Sequence, residues 1–148
     1  NTNPISAVLA AMEALGARRI AVITPYNAQV TTGIVSLLED RGLDVAAAGS
    51  FLEESDATVA RITEAAVADA VREMVANSSG DPDAGALDAV FVSCTSLRAY
   101  GVAADLESEL GVAVVSSNLA FGWHLLRLAG INDQLMGLGR LFSLGLER

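Results

Sequence analysis

The chain has 148 residues, a formal net charge of −9, one cysteine and one histidine. A disulfide framework needs more than one cysteine, and an ordinary structural zinc site needs four nitrogen or sulfur ligands, so both are excluded. A negative surface repels phosphate backbones, so no nucleic-acid partner is expected, and no apolar run approaches the roughly 20 residues of a membrane span. The amino end lacks a basic-then-apolar signal pattern, and a cytoplasmic protein is expected. Half of the residues are hydrophobic, with few aromatics. That mixture, rich in Ala, Val, Leu and Gly, suits helices packed on a parallel sheet.

In chain order, Pro4 to Leu15 reads as a helix, with proline in its first turn and Gly16 at its end. Arg19 to Ile23 is a strand stopped by Thr24-Pro25. A second helix starts near Asn27, runs through Asp40 and is closed by Gly42. Leu43 to Ala48 is a short strand followed by Gly49-Ser50. Thr58 to Ala76 reads as one long helix, because Val59, Ile62, Ala66, Ala70 and Met74 recur at helical spacing. Asn77 to Gly85 is a loop of Ser, Gly, Asp and Pro. Leu87 to Val92 is the third strand, and Leu97 to Leu110 a helix with Gly111 past its end. Val112 to Val115 is the fourth strand. Ser117 or Asn118 caps a last helix that reaches Ala129 and closes at Gly130. The tail from Leu135 to Arg148 carries no clear pattern. The alternation predicts an α/β fold, a doubly wound and mostly four-stranded parallel sheet of flavodoxin-like type, over residues 1–148.

Open α/β sheets bind ligands at the carboxyl ends of their strands. A strand order of 2-1-3-4 would set the switch point between the first and third strands, placing Tyr26 and Cys94 on opposite walls of one crevice. Cys94 follows the apolar run Ala89–Val92 and is flanked by Ser93, Thr95 and Ser96. At a strand mouth and the first turn of a helix, backbone potential favours thiolate. Backbone amides at several helix starts suit a small carboxylate. Neither a dinucleotide-binding glycine fingerprint nor a P-loop is present, and His124 lies inside the last helix. A thiol, a phenol and an anion-binding loop together suggest carbon-acid or nucleophilic chemistry on a small carboxylate. Arg98 reads chiefly as a surface arginine, His124 as a packing residue, and Glu53, Glu54 and Asp56 as a solvated face.

Four segments taken in order carry a resemblance. They are Arg19–Tyr26, Phe91–Arg98, Val114–Asn118 with Trp123–Gly130, and Gly137–Phe142. Together they resemble the aspartate/glutamate racemase superfamily, and within it the maleate cis-trans isomerase branch with its ectoine-utilisation and arylmalonate decarboxylase relatives. The resemblance implies a two-lobed enzyme that needs no cofactor and no metal. It covers about the second half of a family member, so the first lobe, with its own cysteine loop, is expected outside this chain. Cys94 matches the catalytic second-lobe cysteine, Tyr26 a substrate-carboxylate ligand, and Thr95 and Ser96 the site-lining loop, with Asn118 beside it. Ser96 stands where amino-acid racemases often carry histidine, and Thr95 departs from the glycine-rich loop of the decarboxylases. The expected activity is isomerisation of a small dicarboxylate of maleate type. Decarboxylation or racemisation through an enediolate, or a non-catalytic anion-binding lobe, are the alternatives. A homo-oligomer, or association with the missing lobe, is expected.

Overall fold

The structure, a computed structural model, describes residues 1–79, 83 and 85–146. Helix α1 (Pro4–Leu15) leads into β1 (Arg19–Thr24), α2 (Ala28–Glu39) and β2 (Asp44–Ser50). Then come α3 (Asp56–Val59), α4 (Glu64–Ser78), β3 (Ala89–Val92), α5 (Ala103–Leu110), β4 (Ala113–Ser116) and α6 (Ser117–Leu128). A 3-10 turn follows at Arg140–Ser143. All strand pairs are parallel, in the order β2-β1-β3-β4. Right-handed crossovers put the β1–β2 connection on one face and the β2–β3 and β3–β4 connections on the other. Helix α1 packs along α6, and α4 packs on α5.

The central strands are apolar because both faces are covered. Every residue of β3 and β4 is buried, and β1 is buried from Ile20 to Thr24. The sheet thus brings the ends of β1, β3 and β4 side by side: Ile23 pairs with Val92, and Val92 with Ser116.

The caps explain most boundaries. Asn3 accepts the Ser6 amide at 2.9 Å and Asn27 accepts the Val30 amide at 3.0 Å, so α1 and α2 start where the sequence places them. The long helix expected over Thr58 to Ala76 is instead two. Helix α3 stops at Val59, a turn follows, and Thr63 accepts the Ala66 amide at 3.1 Å to start α4 afresh. Val59 and Ile62 still face the core, so the apolar spacing persists through the break. Part of the expected Asn77–Gly85 loop lies outside the described residues, as do the last two residues of the expected tail; Asn77 and Ser78 finish α4.

A second correction falls beside Cys94. The helix expected from Leu97 begins only at Ala103. Leu97 and Ala99 are both buried, a period of two rather than 3.6, and Gly101 lets the turn approach the Glu64 carboxylate. A Cβ at Gly101 would lie 2.8 Å from Glu64 Oε1.

Glu107 ties the carboxyl end of the chain to the sheet. Its buried carboxylate accepts the Val114 amide at 3.0 Å and the Arg140 amide at 2.8 Å. Glu107→Ala strands the buried Val114 amide and the part-buried Arg140 amide, at a cost of about 1–3 kcal/mol for a fully buried donor and less for one that water can reach. Chemical denaturation is expected to read a loss of roughly 2–4 kcal/mol; a midpoint equal to the parent's would show that water replaces the carboxylate without penalty.

Candidate active site

The end of β3 is held from two sides. Ser93 donates its amide to the Ile23 carbonyl at 2.8 Å, extending the pairing with β1 by one residue. The Cys94 amide then donates to Ser117 Oγ at 3.1 Å. Ser117 is free to accept because Ser116, not Ser117 or Asn118, caps α6: Ser116 Oγ accepts the Leu119 amide at 3.1 Å. The cap expected at Ser117 or Asn118 is therefore corrected to the preceding residue, and Ser117 turns to the thiol loop. The helix that touches this loop is thus α6. Helix α5 starts nine residues after Cys94, so the thiol does not sit in that helix's first turn.

Cys94 is 7% exposed, and its Sγ accepts the Ser96 amide at 3.3 Å. It lies in a cavity of about 270 Å³ whose polar wall is Tyr26, Ser93, Thr95 and Ser117. Pro4 and Ile5 of α1, Ile34 of α2 and Phe91 of β3 form the apolar wall. Tyr26 is half-buried, and three contacts set its position. Its amide donates to Thr24 Oγ1 at 3.2 Å, Ser50 Oγ donates to its carbonyl, and Thr24 Oγ1 in turn bonds Thr31 Oγ1 at 2.7 Å. Burial foremost, then hydrogen bonding and charge interaction with Cys94 and the Asp56 carboxylate, push the Tyr26 phenol up to about 12. The phenol therefore stays protonated, a hydrogen-bond donor, across the physiological range.

The residues singled out in the sequence divide accordingly. Cys94, Tyr26 and Thr95 share one cavity. Ser96 reaches the sulfur with its amide, and its side chain is exposed. Asn118 is exposed and does not line the cavity; its Nδ2 donates to the Thr95 carbonyl at 2.9 Å and braces the loop. Arg98 is exposed and lies outside any helix. His124 is buried away from the cavity, with Nδ1 2.8 Å from Thr2 Oγ1 and its ring stacked on Trp123 at 5.9 Å. Burial lowers its basicity.

Sequence reasoning missed the apolar wall from α1 and α2, which local patterning reports only as helix. Asp56 is exposed, as the sequence reading has it, and its charge adds to the field at the Tyr26 phenol. The loop after β2 is stitched to the Tyr26 turn, with Phe51 donating to the Thr24 carbonyl and Glu53 to the Pro25 carbonyl at 2.7 Å. A second cavity of about 270 Å³, between the end of β2 and α4, is lined by no thiol and no imidazole. Among the described residues no group of three or more His, Cys, Asp or Glu could hold a metal ion, and no helix is long and apolar enough to cross a membrane.

A buried thiol, a protonated phenol and an apolar wall can hold a small carboxylate with a nonpolar substituent and move a proton to or from its carbon. Known proteins resemble this chain over most of its length. Arylmalonate decarboxylase of Bordetella bronchiseptica is 34% identical over 144 residues, covering 96% of this chain and 57% of the relative. Maleate isomerase of Nocardia farcinica is 26% identical over 136 residues, covering 91% of this chain and 51% of the relative. The structure of that species' maleate cis-trans isomerase bound to TRIS matches with a TM-score of 0.86 at 24% identity, covering 95% of this chain and 55% of that one. A cysteine-to-serine mutant of it, with a covalently bound succinylcysteine intermediate, matches at 0.83 and 24%, covering 94% and 54%. The chain thus spans about half the length of the curated relatives it matches. The family model for arylmalonate decarboxylase matches residues 2–142, from just before α1 into the 3-10 turn. With nearly its whole length matched, this chain belongs to the arylmalonate decarboxylase family.

Proposed function

We propose that this chain supplies the proton-donating thiol of an enzyme that decarboxylates a small malonate bearing an apolar substituent. The observation that supports this most is the pairing, in one cavity, of Cys94 and the phenol of Tyr26 with the apolar wall of Pro4, Ile5, Ile34 and Phe91. In the proposed reaction the bond to the departing carboxylate breaks and carbon dioxide leaves. The electron pair remains on the α-carbon as an enediolate of the retained carboxylate. Cys94 S–H then gives its proton to that carbon, the S–H bond breaking as the C–H bond forms, and the thiolate recovers a proton from water. No cofactor is required for this sequence. An apolar wall favours charge loss at the departing carboxylate, because a dianion is poorly solvated there.

Isomerisation of a maleate-type dicarboxylate, the activity favoured by sequence resemblance, is the second reading. The shared fold with maleate isomerase and the succinylcysteine found on that relative favour it. The higher identity to the decarboxylase favours the first. The lobe or partner chain expected to complete the site is part of the same proposal.

Proton NMR separates the two. With phenylmalonate and maleate offered in parallel, the first reading expects phenylacetate and no fumarate. Fumarate from maleate, with phenylmalonate untouched, would replace it by the second.

A further inference from the structure

The turn that carries Tyr26 is tied to two threonines that lie outside the cavity. Thr24 and Thr31 are both buried, and neither lines the cavity wall. Their hydroxyl oxygens are 2.7 Å apart. Counting protons fixes which of them donates. A hydroxyl has one proton to give, and that of Thr31 goes to the Asn27 carbonyl at 2.9 Å, which can only accept. Thr24 therefore donates to Thr31, and its own oxygen accepts the Tyr26 amide at 3.2 Å. The bonds form one directed chain, from the Tyr26 amide through Thr24 and Thr31 to the Asn27 carbonyl. It begins and ends on the turn between β1 and α2. We infer that Thr24 and Thr31 are positioning residues: their paired hydroxyls clamp the Tyr26 turn and so hold its phenol in place for the substrate carboxylate.

This rests on the proposed reading of the cavity, in which the phenol donates to the carboxylate that the substrate keeps, and deepens it. Packing alone would accept valine at both positions, since valine has threonine's shape and no polar atom to bury. Two buried hydroxyls are tolerated here because each finds a partner, and what they bond is the backbone on either side of the phenol's own peptide. The remaining contacts of the turn come from another direction, the loop after β2. The Phe51 amide donates to the Thr24 carbonyl at 3.0 Å, the Glu53 amide to the Pro25 carbonyl at 2.7 Å, and Ser50 Oγ to the Tyr26 carbonyl. The threonine pair adds the tie to α2. A misplacement of about 1 Å in a group that orients substrate can cost on the order of 10²-fold in rate, so a turn held from two directions matters to turnover.

Two measurements test the clamp, and the first needs no substrate. With 3-fluorotyrosine placed at position 26, fluorine NMR compares the parent chain, Thr24→Ser and Thr24→Val. The serine variant keeps the hydroxyl and is expected to match the parent, while the valine variant broadens or splits the resonance. Spectra that coincide in all three would overturn the inference. The second is a double-mutant cycle on kcat/KM, in the longest form the source expresses, with phenylmalonate, or with maleate if that is what the parent turns over. Thr24→Val is expected to lower kcat/KM by roughly tenfold to a hundredfold, and Thr24→Ser to stay within about threefold of the parent. In a Tyr26→Phe background, where there is no phenol to position, Thr24→Val should cost less than about threefold. Equal costs in both backgrounds would show that Thr24 only supports the fold, and would overturn the inference. Should Thr24→Val not fold, Thr31→Val carries the same cycle, because it removes the acceptor of the Thr24 hydroxyl and leaves the Asn27 carbonyl with the Thr31 amide. The two ideas fail separately. A parent that turns over neither compound defeats the proposed function and leaves the fluorine spectra to decide on the clamp, whereas a working enzyme in which the costs simply add defeats the clamp alone.

Discussion

Replacing Cys94 with serine lowers turnover by roughly 10²–10⁴-fold, the range expected when a positioned proton donor is lost. Serine is nearly isosteric, so the chain's contacts at this position survive. The residue-94 amide still reaches Ser117 Oγ, and Ser93 still extends β3 onto β1. Serine's hydroxyl holds its proton too tightly to deliver it to an enediolate at a useful rate, while the cavity and its phenol remain. The loss is therefore expected in kcat, with KM little changed, because the thiol acts on the transition state rather than on binding. Circular dichroism and the thermal midpoint, measured on the same sample, should match the parent. Turnover retained within a few-fold in a folded Cys94→Ser would remove the thiol from the mechanism.

The largest expected effect on stability lies away from the cavity. Arg127 is 5% exposed and has no acidic side-chain partner among the described residues. Its guanidinium donates to the carbonyls of Ile131 at 2.8 Å, Asp133 at 3.2 Å, Phe142 at 3.0 Å and Leu144 at 2.8 Å. Trp123 Nε1, fully buried, adds a bond to the Leu144 carbonyl at 3.0 Å. One planar fork thus gathers a segment that has almost no regular structure. Arg127→Ala leaves the carbonyls of Ile131, Asp133 and Phe142 without this donor and that of Leu144 with Trp123 alone, at about 1–3 kcal/mol for each lost partner before water repairs some of them. The expected loss is roughly 3–5 kcal/mol, and about a 10 °C fall in Tm. Arg127→Lys should recover little, because a single ammonium cannot match a five-donor fork. Hydrogen exchange is expected to accelerate first in residues 131–144, ahead of the sheet. Uniform acceleration across β1, β3 and β4 would show that Arg127 supports the whole fold rather than the tail.

The sheet was legible because its signals are local. Short apolar runs at Ile20–Ile23, Ala89–Val92 and Ala113–Val115 alternate with helical spacing, and right-handed crossovers leave few orders for four parallel strands. That order sets the ends of β1 and β3 side by side, which is why Tyr26 and Cys94 meet as the crevice argument expects. What escaped was set by contacts distant in sequence. Helical spacing runs unbroken through Val59 and Ile62, yet Thr63 caps a new helix there. The late start of α5 follows a stretch in which Leu97 and Ala99 are buried at a spacing of two, with Gly101 beside Glu64 of another helix. Ser117 looks like a cap until Ser116 takes that task and frees it for Cys94. Pro4 and Ile5 lie some ninety residues before the thiol they help enclose, and the tail depends on one buried arginine.

The central claim is that Cys94 places a proton on a substrate carbon. It is tested most directly by supplying phenylmalonate in D₂O to the parent protein and to Cys94→Ser, using the longest form its source expresses, and locating the deuterium by NMR. The account predicts one deuterium at the α-carbon of phenylacetate, in a single configuration from the parent, with the product all but absent from the variant. Equal deuterated product from both proteins, or a racemic label from the parent, would mean that water and not the thiol delivers the proton.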